Sequence, residues 1–144
     1  MTSDLAARNR ALGLAINREI WNERRIDKVA DYYAEDIVSD YSPYVVRRGL
    51  DEMRAAIAGI PGTFEGFRED LKTVIADEER VVLHFTIRGR QTGPWGAIPP
   101  SGREVEYDEI VIMTIRDGKV VHQTGVADNL RGLRQVGAIR SPQA

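Results

Sequence analysis

The residues of this chain that could carry acid/base chemistry are carboxylates rather than cysteines or histidines. The 144 residues include no cysteine and only two histidines, His84 and His122. Disulfides, thiolate catalysis and cysteine-ligated metals are therefore excluded, and no metal-ligand spacing is present, so we expect no metal site. The sequence also lacks a Ser-His-Asp set, a phosphate-binding loop and a dinucleotide fingerprint. The candidates for proton transfer are Asp40, Glu109 and Asp128.

The composition bounds the class of protein. With 42% hydrophobic residues, residues 1–144 are enough for a single domain with a sizeable core. A net charge of -2 gives no basic excess for binding nucleic acid or an anionic membrane. No apolar stretch is long enough to cross a bilayer, and the first residues lack the pattern of a signal peptide. We therefore expect a cytoplasmic protein without nucleic-acid or membrane partners.

The first half of the chain is predicted to be mainly helical. A helix is expected from about Asp4 to Glu23, because Leu12, Ile16 and Ile20 recur every four positions, whereas Asn9 and Asn17 fall outside this apolar stripe. Asp27 can cap a shorter helix that carries Val29, Ala30 and Tyr33. A brief strand over residues 37–41 and a third helix over residues 49–60 follow.

The second half is predicted to be β-structure until the last helix. Strands are expected over residues 67–76, 81–88, 104–116 and 119–127. Asp128 can cap a final helix with Leu130 and Leu133 inward, and residues 138–144 are expected to form a frayed tail. Helices followed by antiparallel strands indicate an α+β fold, with a curved antiparallel sheet wrapped on the N-terminal helices. Such a sheet leaves a conical cavity, which is a natural small-molecule site.

A glycine- and proline-rich loop is predicted between two of these strands, over residues 89–102. Loops of this length inside compact domains tend to be functional. Its single large aromatic residue, Trp95, has two interpretations. It forms either the lip of a ligand pocket or a plug at one end of the core.

Several stretches carry a resemblance to a known family. They are EDIV at residues 35–38, GRQTG at 89–93, GAIPPSGR at 96–103, IMTIRDGKVV at 112–121 and DNLRGLRQVG at 128–137. Together they resemble the SnoaL-like polyketide cyclases, a family of the nuclear-transport-factor-two-like superfamily. The resemblance spans most of the chain and implies the same α+β cone. It says less about chemistry, because this fold hosts many unrelated reactions.

The resemblance also implies where catalytic groups would lie. Cyclases of this family close a ring by aldol condensation without a metal or cofactor, using acid/base groups on the two strands of the last hairpin. Glu109 stands where such cyclases place a polar side chain. Val111 and Gln123 occupy positions that can carry histidine, and Gly125 falls where the catalytic aspartate is expected. The family's acid/base pair is therefore absent from this chain.

The hairpin register decides which of these side chains face the cavity. A two-residue turn at Asp117-Gly118 would place Val111 and Met113 on the face that carries His122 and Thr124. A three-residue loop, residues 116–118, instead groups Glu109, Val111 and Met113 with Val121, Gln123 and Gly125. We choose the second register because the resemblance supports it. His84 and His122 then lie on the outer face.

In this register, Glu109 is a carboxylate at the wall of an apolar cavity. Burial raises a carboxylate's pKa, which suits a general base or acid. Glu109 is thus the first catalytic candidate, followed by Asp40, near the cavity rim, and Asp128, which is foremost a helix cap. The expected substrate contacts are Trp21, Tyr41, Phe85, Trp95, Val111, Met113 and Gln123.

Two functions remain open for this chain. The first is a cofactor-independent enzyme that cyclises or isomerises an apolar, polycyclic or otherwise carbonyl-bearing small molecule. The second is a non-catalytic binding or dimeric assembly module that has lost the cyclase pair. In both cases we expect a homodimer, because Ile110, Ile112 and Thr114 form an apolar strip on the outer face.

Overall fold

The N-terminal helix has the expected length but changes its winding halfway. The structure is a computed structural model that describes residues 3–140. Helix α1 covers Asp4–Ala15 and continues directly as a π-helix over Ile16–Asn22. Ile16 and Ile20 are buried, as the fourfold spacing predicts. No helix within the described residues is long and apolar enough to span a membrane.

Two asparagines of this helix are buried, although they lie outside the apolar stripe. The Asn9 side-chain amide donates to the carbonyl oxygen of Asp77 at 3.0 Å. The Asn17 amide donates to the carbonyl oxygen of Glu69 at 3.4 Å. Their burial is possible because each amide pairs with a backbone carbonyl, that of Asp77 in the β3–β4 turn and that of Glu69 in β3, which a purely apolar pattern could not predict.

The segment after the π-helix differs from the predicted second helix. It consists of a 3₁₀ turn over Ile26–Lys28 and a single turn of helix, α2, over Val29–Tyr32. The predicted cap by Asp27 is wrong, because its carboxylate pairs with the Arg25 guanidinium at 3.0 Å and caps nothing. Tyr33, expected on the helix, instead begins the first strand and is fully buried.

Six strands form one sheet in the order β2-β1-β6-β5-β4-β3. They are β1 (Tyr33–Tyr41), β2 (Val45–Arg48), β3 (Phe64–Ala76), β4 (Arg80–Gln91), β5 (Glu104–Arg116) and β6 (Lys119–Ala127). Neighbouring strands are antiparallel except for β1 and β6, which are parallel. The predicted α+β fold with a curved sheet on N-terminal helices is confirmed, and the one parallel pair is an addition to it. Helix α3 (Gly49–Ala58) and a 3₁₀ turn (Ile60–Gly62) connect β2 to β3.

The β5–β6 hairpin turns the predicted side chains towards the cavity, but its turn differs from the predicted one. Asp117 and Gly118 both have positive φ angles, 51° and 77°, and form a two-residue turn rather than the chosen three-residue loop. Next to the turn, Ile115 pairs with Val120, which is the buried residue here in place of Val121. The register then shifts by one residue in a β-bulge.

The bulge determines which side chains enter the cavity. Beyond it, Met113 pairs with Gln123 and Val111 pairs with Gly125. Glu109, Val111 and Met113 therefore share a face with Gln123 and Gly125, as predicted. Ile110 and Ile112 point to the opposite face, where they are 45% and 39% exposed.

The last helix, α4 (Asn129–Gln135), begins at the predicted cap. The Asp128 carboxylate accepts from the Arg131 backbone N–H at 3.2 Å. The prediction that Leu130 faces inward is wrong, because Leu130 is 47% exposed, and Gly132 and Val136 provide the buried side. Residues 141–144 of the predicted tail lie outside the described residues.

Candidate active site

A cavity of about 280 Å³ lies between the helices and the inner face of the sheet. Its wall is mostly apolar and aromatic, with side chains from the π-helix, α3 and all six strands. The polar side chains that line it are Ser39, Tyr41, Tyr44, Arg47, Glu69, Glu109, Gln123 and Asn129. A mostly apolar cavity with a few convergent polar groups is typical of small-molecule sites.

Most of the predicted site residues line this cavity. They are Trp21, Tyr41, Phe85, Glu109, Val111, Met113 and Gln123. The six strand residues meet because the inward positions of β1, β4, β5 and β6 alternate with outward ones, so that the register fixes one face for them, and Trp21 reaches the cavity from the π-helix. The two histidines lie elsewhere, as predicted: His84 Nε2 is 2.8 Å from Asp108 Oδ2 on the outer face, and His122 is exposed.

Two predicted catalytic carboxylates, Asp40 and Asp128, lie outside the cavity lining. Asp40 alternates with the inward Ser39, and its Oδ1 accepts from the Ser42 backbone N–H at 2.9 Å. Hydrogen bonds from Ser42 lower the pKa of Asp40. Asp128 is engaged as the cap of α4. Both carboxylates are thus engaged in a turn or a cap, and neither belongs to the cavity wall, where a catalytic group would have to be.

Trp95, predicted as a substrate contact, also lies outside the cavity lining. Its ring stacks on Tyr107 with centroids 5.8 Å apart and meets Phe64 edge-on at 5.4 Å. Its backbone forms a small bridge with Ile98. The structure thus agrees with the second interpretation of Trp95, a plug at one end of the core.

Glu109 is hydrogen-bonded to Tyr41 inside the cavity. The Tyr41 hydroxyl donates to Glu109 Oε2 at 2.9 Å. Burial raises the pKa of Glu109 above its ordinary value, while the Tyr41 hydrogen bond and the charge of Arg47 act in the opposite direction. The pKa of Tyr41 is itself raised, first by burial and then by the nearby Glu109 charge. Tyr41 is therefore a hydrogen-bond donor and not a phenolate.

A second carboxyl group, Glu69, faces the same cavity and was missed from the sequence. Glu69 lies on β3 and is 6% exposed. It pairs with Ile87 of β4, whereas Glu109 pairs with Phe85 of the same strand, so the two carboxyl groups flank β4 on one face. Two strand spacings and a stagger of two residues along the strands separate their backbones by about 12 Å.

The sequence does contain a weak signal for Glu69. Phe67 and Leu71, two residues before and after it, are apolar, which places Glu69 on the apolar side of the strand. A bulge between Leu71 and Thr73 then breaks the alternation, so that the strand as a whole looks irregular. The signal for a cavity carboxyl group is thus a glutamate between two apolar residues on the same side of a strand.

Two asparagines of the N-terminal helix hold the backbone of Glu69. Asn22 Oδ1 accepts from the Glu69 N–H at 2.6 Å, and Asn22 Nδ2 donates to the Glu69 carbonyl oxygen at 3.0 Å. Asn17 donates to the same carbonyl oxygen. Because β3 is an edge strand, these side chains take the place of a further strand at this position.

The two carboxyl groups differ in their surroundings and therefore in their protonation. Burial raises the pKa of Glu69 well above its ordinary value, and the charge of Glu109 raises it further. Within residues 3–140, no side-chain donor is hydrogen-bonded to the Glu69 carboxyl, whereas Glu109 has Tyr41. Glu109 therefore ionises before Glu69, and such a pair can provide one base and one acid.

The positions to which the resemblance assigns the family's acid/base groups are Val111, Gln123 and Gly125, which cannot act as an acid or a base. Val111 and Gln123 both line the cavity, but Gln123 Nε2 donates to Ser39 Oγ at 3.0 Å in a buried pair. Within the described part of the chain, no three His, Cys, Asp or Glu side chains are grouped so as to hold a metal ion.

Comparison with solved structures supports the fold. A protein from Jannaschia sp. CCS1 assigned to the SnoaL-like polyketide cyclases has a TM-score of 0.87 at 21% identity, covering 96% of this chain and 98% of that one. TsrD from Streptomyces laurentii has a TM-score of 0.83 at 29% identity, covering 92% and 97%. AclR from Streptomyces galilaeus, a candidate hydroxylase, has a TM-score of 0.81 at 24% identity, covering 94% and 85%.

Comparison at the level of sequence families is more specific. No protein with a curated description matches the chain. The family model described as SnoaL-like polyketide cyclase matches residues 12–136, which is most of the chain. The matched region includes every strand and the whole cavity wall. The chain belongs to the SnoaL-like polyketide cyclase family.

Proposed function

We propose that this chain catalyses a cofactor-independent proton transfer next to a carbonyl group in an apolar small molecule, leading to cyclisation or isomerisation. Glu109 is the base, and Glu69 is the acid. The observation that carries this proposal is the pair of desolvated carboxyl groups in one apolar cavity, of which Glu109 alone is hydrogen-bonded to a donor. Family membership makes a carbonyl-bearing, polyketide-like substrate the natural choice.

The proposed reaction balances without an external reagent. The Glu109 carboxylate removes a proton from the carbon beside the carbonyl, and the electron pair of that C–H bond moves onto the carbonyl oxygen. The protonated Glu69 donates to this oxygen as its negative charge develops. In cyclisation, the enol carbon then attacks a second carbonyl of the same molecule, the enol O–H proton returns to Glu69, and protonated Glu109 gives its proton to the new alkoxide. In isomerisation of an unsaturated ketone, protonated Glu109 instead returns its proton to the distal carbon of the dienol, and the O–H proton again returns to Glu69. Each carboxyl group regains its starting state at the end of the cycle.

Tyr41 has a supporting role in this scheme. Its hydroxyl stabilises the ionised form of Glu109 and orients one carboxylate oxygen, leaving the other for the substrate. The hydroxyl remains protonated throughout, because the pKa of Tyr41 is raised by burial.

The test uses deuterium exchange at the activated carbon of 2-tetralone, a bicyclic ketone of suitable size, followed by NMR in D₂O. Glu109→Gln keeps the shape of the side chain and removes its basicity. A positioned base typically contributes about 10²–10⁴ in rate, so the protein-dependent exchange should fall by that order with the affinity for 2-tetralone nearly unchanged. Glu106→Gln, an exposed glutamate of the same strand, is the matched control. Exchange by Glu109→Gln at the parent rate would rule out this role.

A second function, ligand binding without catalysis, is favoured by a different observation. The positions that carry the family's acid/base pair hold Val111, Gln123 and Gly125, and the Gln123 amide is engaged with Ser39. On this alternative, the cavity binds apolar molecules and no carboxylate does chemistry. Tight binding of 2-tetralone together with exchange no faster than with an equal concentration of acetate would favour it.

We further propose that the outer face of the sheet forms a homodimer. Ile110, Ile112 and Val126 are 45%, 39% and 79% exposed on that face, where Ile110 and Val126 pair across β5 and β6. A twofold dimer would bury the same strip on both copies. Light scattering should give twice the chain mass at micromolar concentration, and Ile110→Lys should return a monomer. Leu130→Lys, at an exposed apolar residue of α4, should leave the dimer intact.

A further inference from the structure

We infer that the substrate carries an oxyanion, such as a carboxylate, which binds Arg47 in the wall of the cavity. This inference rests on the proposed function for the cavity itself and names the class of molecule that it accepts. Among the described residues that line the cavity, Arg47 is the only one with a cationic side chain. It is half-buried and lines the cavity, whereas its neighbour Arg48 is exposed.

The sheet register places Arg47 on the inner face. Arg47 pairs with Ser39 of β1, and Ser39 in turn pairs with Gln123 of β6. The three side chains therefore form one polar row across β2, β1 and β6 in a mostly apolar wall. Ser39 and Gln123 are already hydrogen-bonded to each other, so the guanidinium is the group in this row that is open to a ligand.

The charge of Arg47 lacks a direct partner in the protein. Within residues 3–140, no Asp or Glu oxygen lies within 4.0 Å of its guanidinium. Its neighbour Arg48 points the other way and is exposed. A half-buried guanidinium with free donors is suited to a planar oxyanion, because its parallel N–H groups match the two oxygens of a carboxylate.

The arrangement also explains how the two ends of a substrate would be separated. Arg47 and Tyr41 are on neighbouring strands, two residues apart in register, while Tyr41 is hydrogen-bonded to Glu109. An anion at Arg47 would therefore hold one end of the molecule on the β1–β2 side. Its apolar body would extend over Phe85 and Val111 towards Glu69. The anion determines orientation, and the reacting carbon lies beyond Tyr41, next to Glu109, whose pKa the charge of Arg47 already lowers.

Binding of matched probes tests this inference independently of catalysis. The probes are 2-naphthoate and its neutral analogue 2-naphthamide, with affinities measured by calorimetry at pH 7.5 and low salt. A charge-assisted, two-point contact should favour the anion by about tenfold or more. Arg47→Met should abolish this preference, Arg47→Lys should keep part of it, and Arg48→Met should keep all of it. Thermal unfolding of each variant confirms that it is folded.

The outcomes separate the inference from the proposed function. Three outcomes would overturn the inference. They are equal affinities for the two probes, a preference for 2-naphthoate that survives Arg47→Met, and no binding of either probe up to its solubility. If Arg47 serves only as a counter-charge for Glu109, Arg47→Met will raise the pKa of Glu109 without changing the probe preference. Glu109→Gln should retain the preference for 2-naphthoate whether or not it abolishes exchange, so the two ideas can fail separately.

Discussion

The ring of Tyr41 lies directly over Gly125, leaving no room for a side chain at that position. A Cβ atom on residue 125 would be 2.7 Å from Tyr41 Cε1 and 2.8 Å from its hydroxyl oxygen. By resemblance to the family, position 125 is where a catalytic aspartate is expected. In this chain the phenol fills that space, and its hydroxyl is bonded to Glu109. The Tyr41 ring can therefore reach Glu109 only because residue 125 has no side chain.

Gly125→Ala is expected to displace the Tyr41 ring and to break its hydrogen bond with Glu109. Because that bond lowers the pKa of Glu109, its loss should move the pH–rate profile of 2-tetralone exchange to higher pH. The rate at neutral pH should fall by about tenfold, as expected for the loss of a hydrogen bond to a charged group.

Two variants control for this effect. Tyr41→Phe removes the hydroxyl without moving the ring, and it should shift the profile in the same direction. Gly62→Ala adds a methyl group at a glycine with open space around it and should change nothing. An unchanged profile for Gly125→Ala beside a shifted one for Tyr41→Phe would show that the ring is not displaced.

Glu69 is expected to make the fold less stable as the pH rises. Its pKa is raised in the folded state, so the folded protein binds more protons than the unfolded chain above the ordinary value of 4.5. The free energy of unfolding must then decrease with pH from about that value up to the raised pKa. Glu69→Gln removes this dependence and should be more stable than the parent above neutral pH, by on the order of 1–3 kcal/mol.

Urea unfolding at several pH values between 5 and 9 measures this difference. Glu65→Gln changes an exposed glutamate of the same strand and should follow the parent curve at every pH. If Glu69→Gln also follows the parent curve, the carboxyl of Glu69 is solvated and cannot be the proposed acid.

Trp95→Ala is expected to affect stability and not ligand affinity. Its ring packs on Tyr107 and Phe64, and the side chain would also meet Gly132 of α4 if that residue were larger. Since Trp95 is only half-buried, the loss should be about 2–4 kcal/mol. Urea unfolding measures the loss, and 2-naphthoate affinity of the folded variant should match the parent. If the fully folded variant bound 2-naphthoate more weakly than the parent, Trp95 would be part of the binding site after all.

The sequence was sufficient for the β half of the fold because its signals there are local. The alternation of Val81 to Ile87 and the Asp-Gly turn at residues 117–118 are properties of short segments. The bounds of β5 and β6 were therefore predicted as observed. The predicted turn type was wrong, but the side chains predicted to face the cavity do so. The reason is that the bulge in β6 inserts one extra residue, as the predicted three-residue loop would have done, and one residue decides which face each side chain takes.

The site was only partly predictable because its decisive contacts are long-range. Asp40 and Glu69 have similar local sequence contexts, because each is an acidic residue within or beside an apolar strand. One has its carboxylate held by Ser42 in the following turn, and the other faces the cavity with its backbone held by Asn22 from a distant helix. Strand alternation alone could not separate these outcomes, since a bulge interrupts the pattern beside Glu69.

Asn22 is expected to position Glu69, and this gives a prediction that separates a structural role from a functional one. Its side-chain amide satisfies both the N–H and the carbonyl oxygen of Glu69 on the open edge of β3, at 2.6 and 3.0 Å. Asn22→Ala leaves the N–H without this partner and should cost about 1–3 kcal/mol in urea unfolding. Asn22→Asp keeps the acceptor and loses the donor, so its cost should be smaller.

The functional part of this prediction is a change in exchange rate for each folded molecule. Without Asn22, the backbone of Glu69 can move, and the acid is no longer fixed opposite Glu109. The exchange rate of 2-tetralone, corrected for the folded fraction, should therefore fall at least severalfold in Asn22→Ala, with its affinity unchanged. Asn9→Ala is the matched control, because it removes a hydrogen bond from the Asn9 amide to the carbonyl oxygen of Asp77, which is not part of the cavity wall. This variant should be less stable but should keep the parent exchange rate per folded molecule. Equal rates for both asparagine variants would mean that Asn22 stabilises the edge strand without positioning the acid.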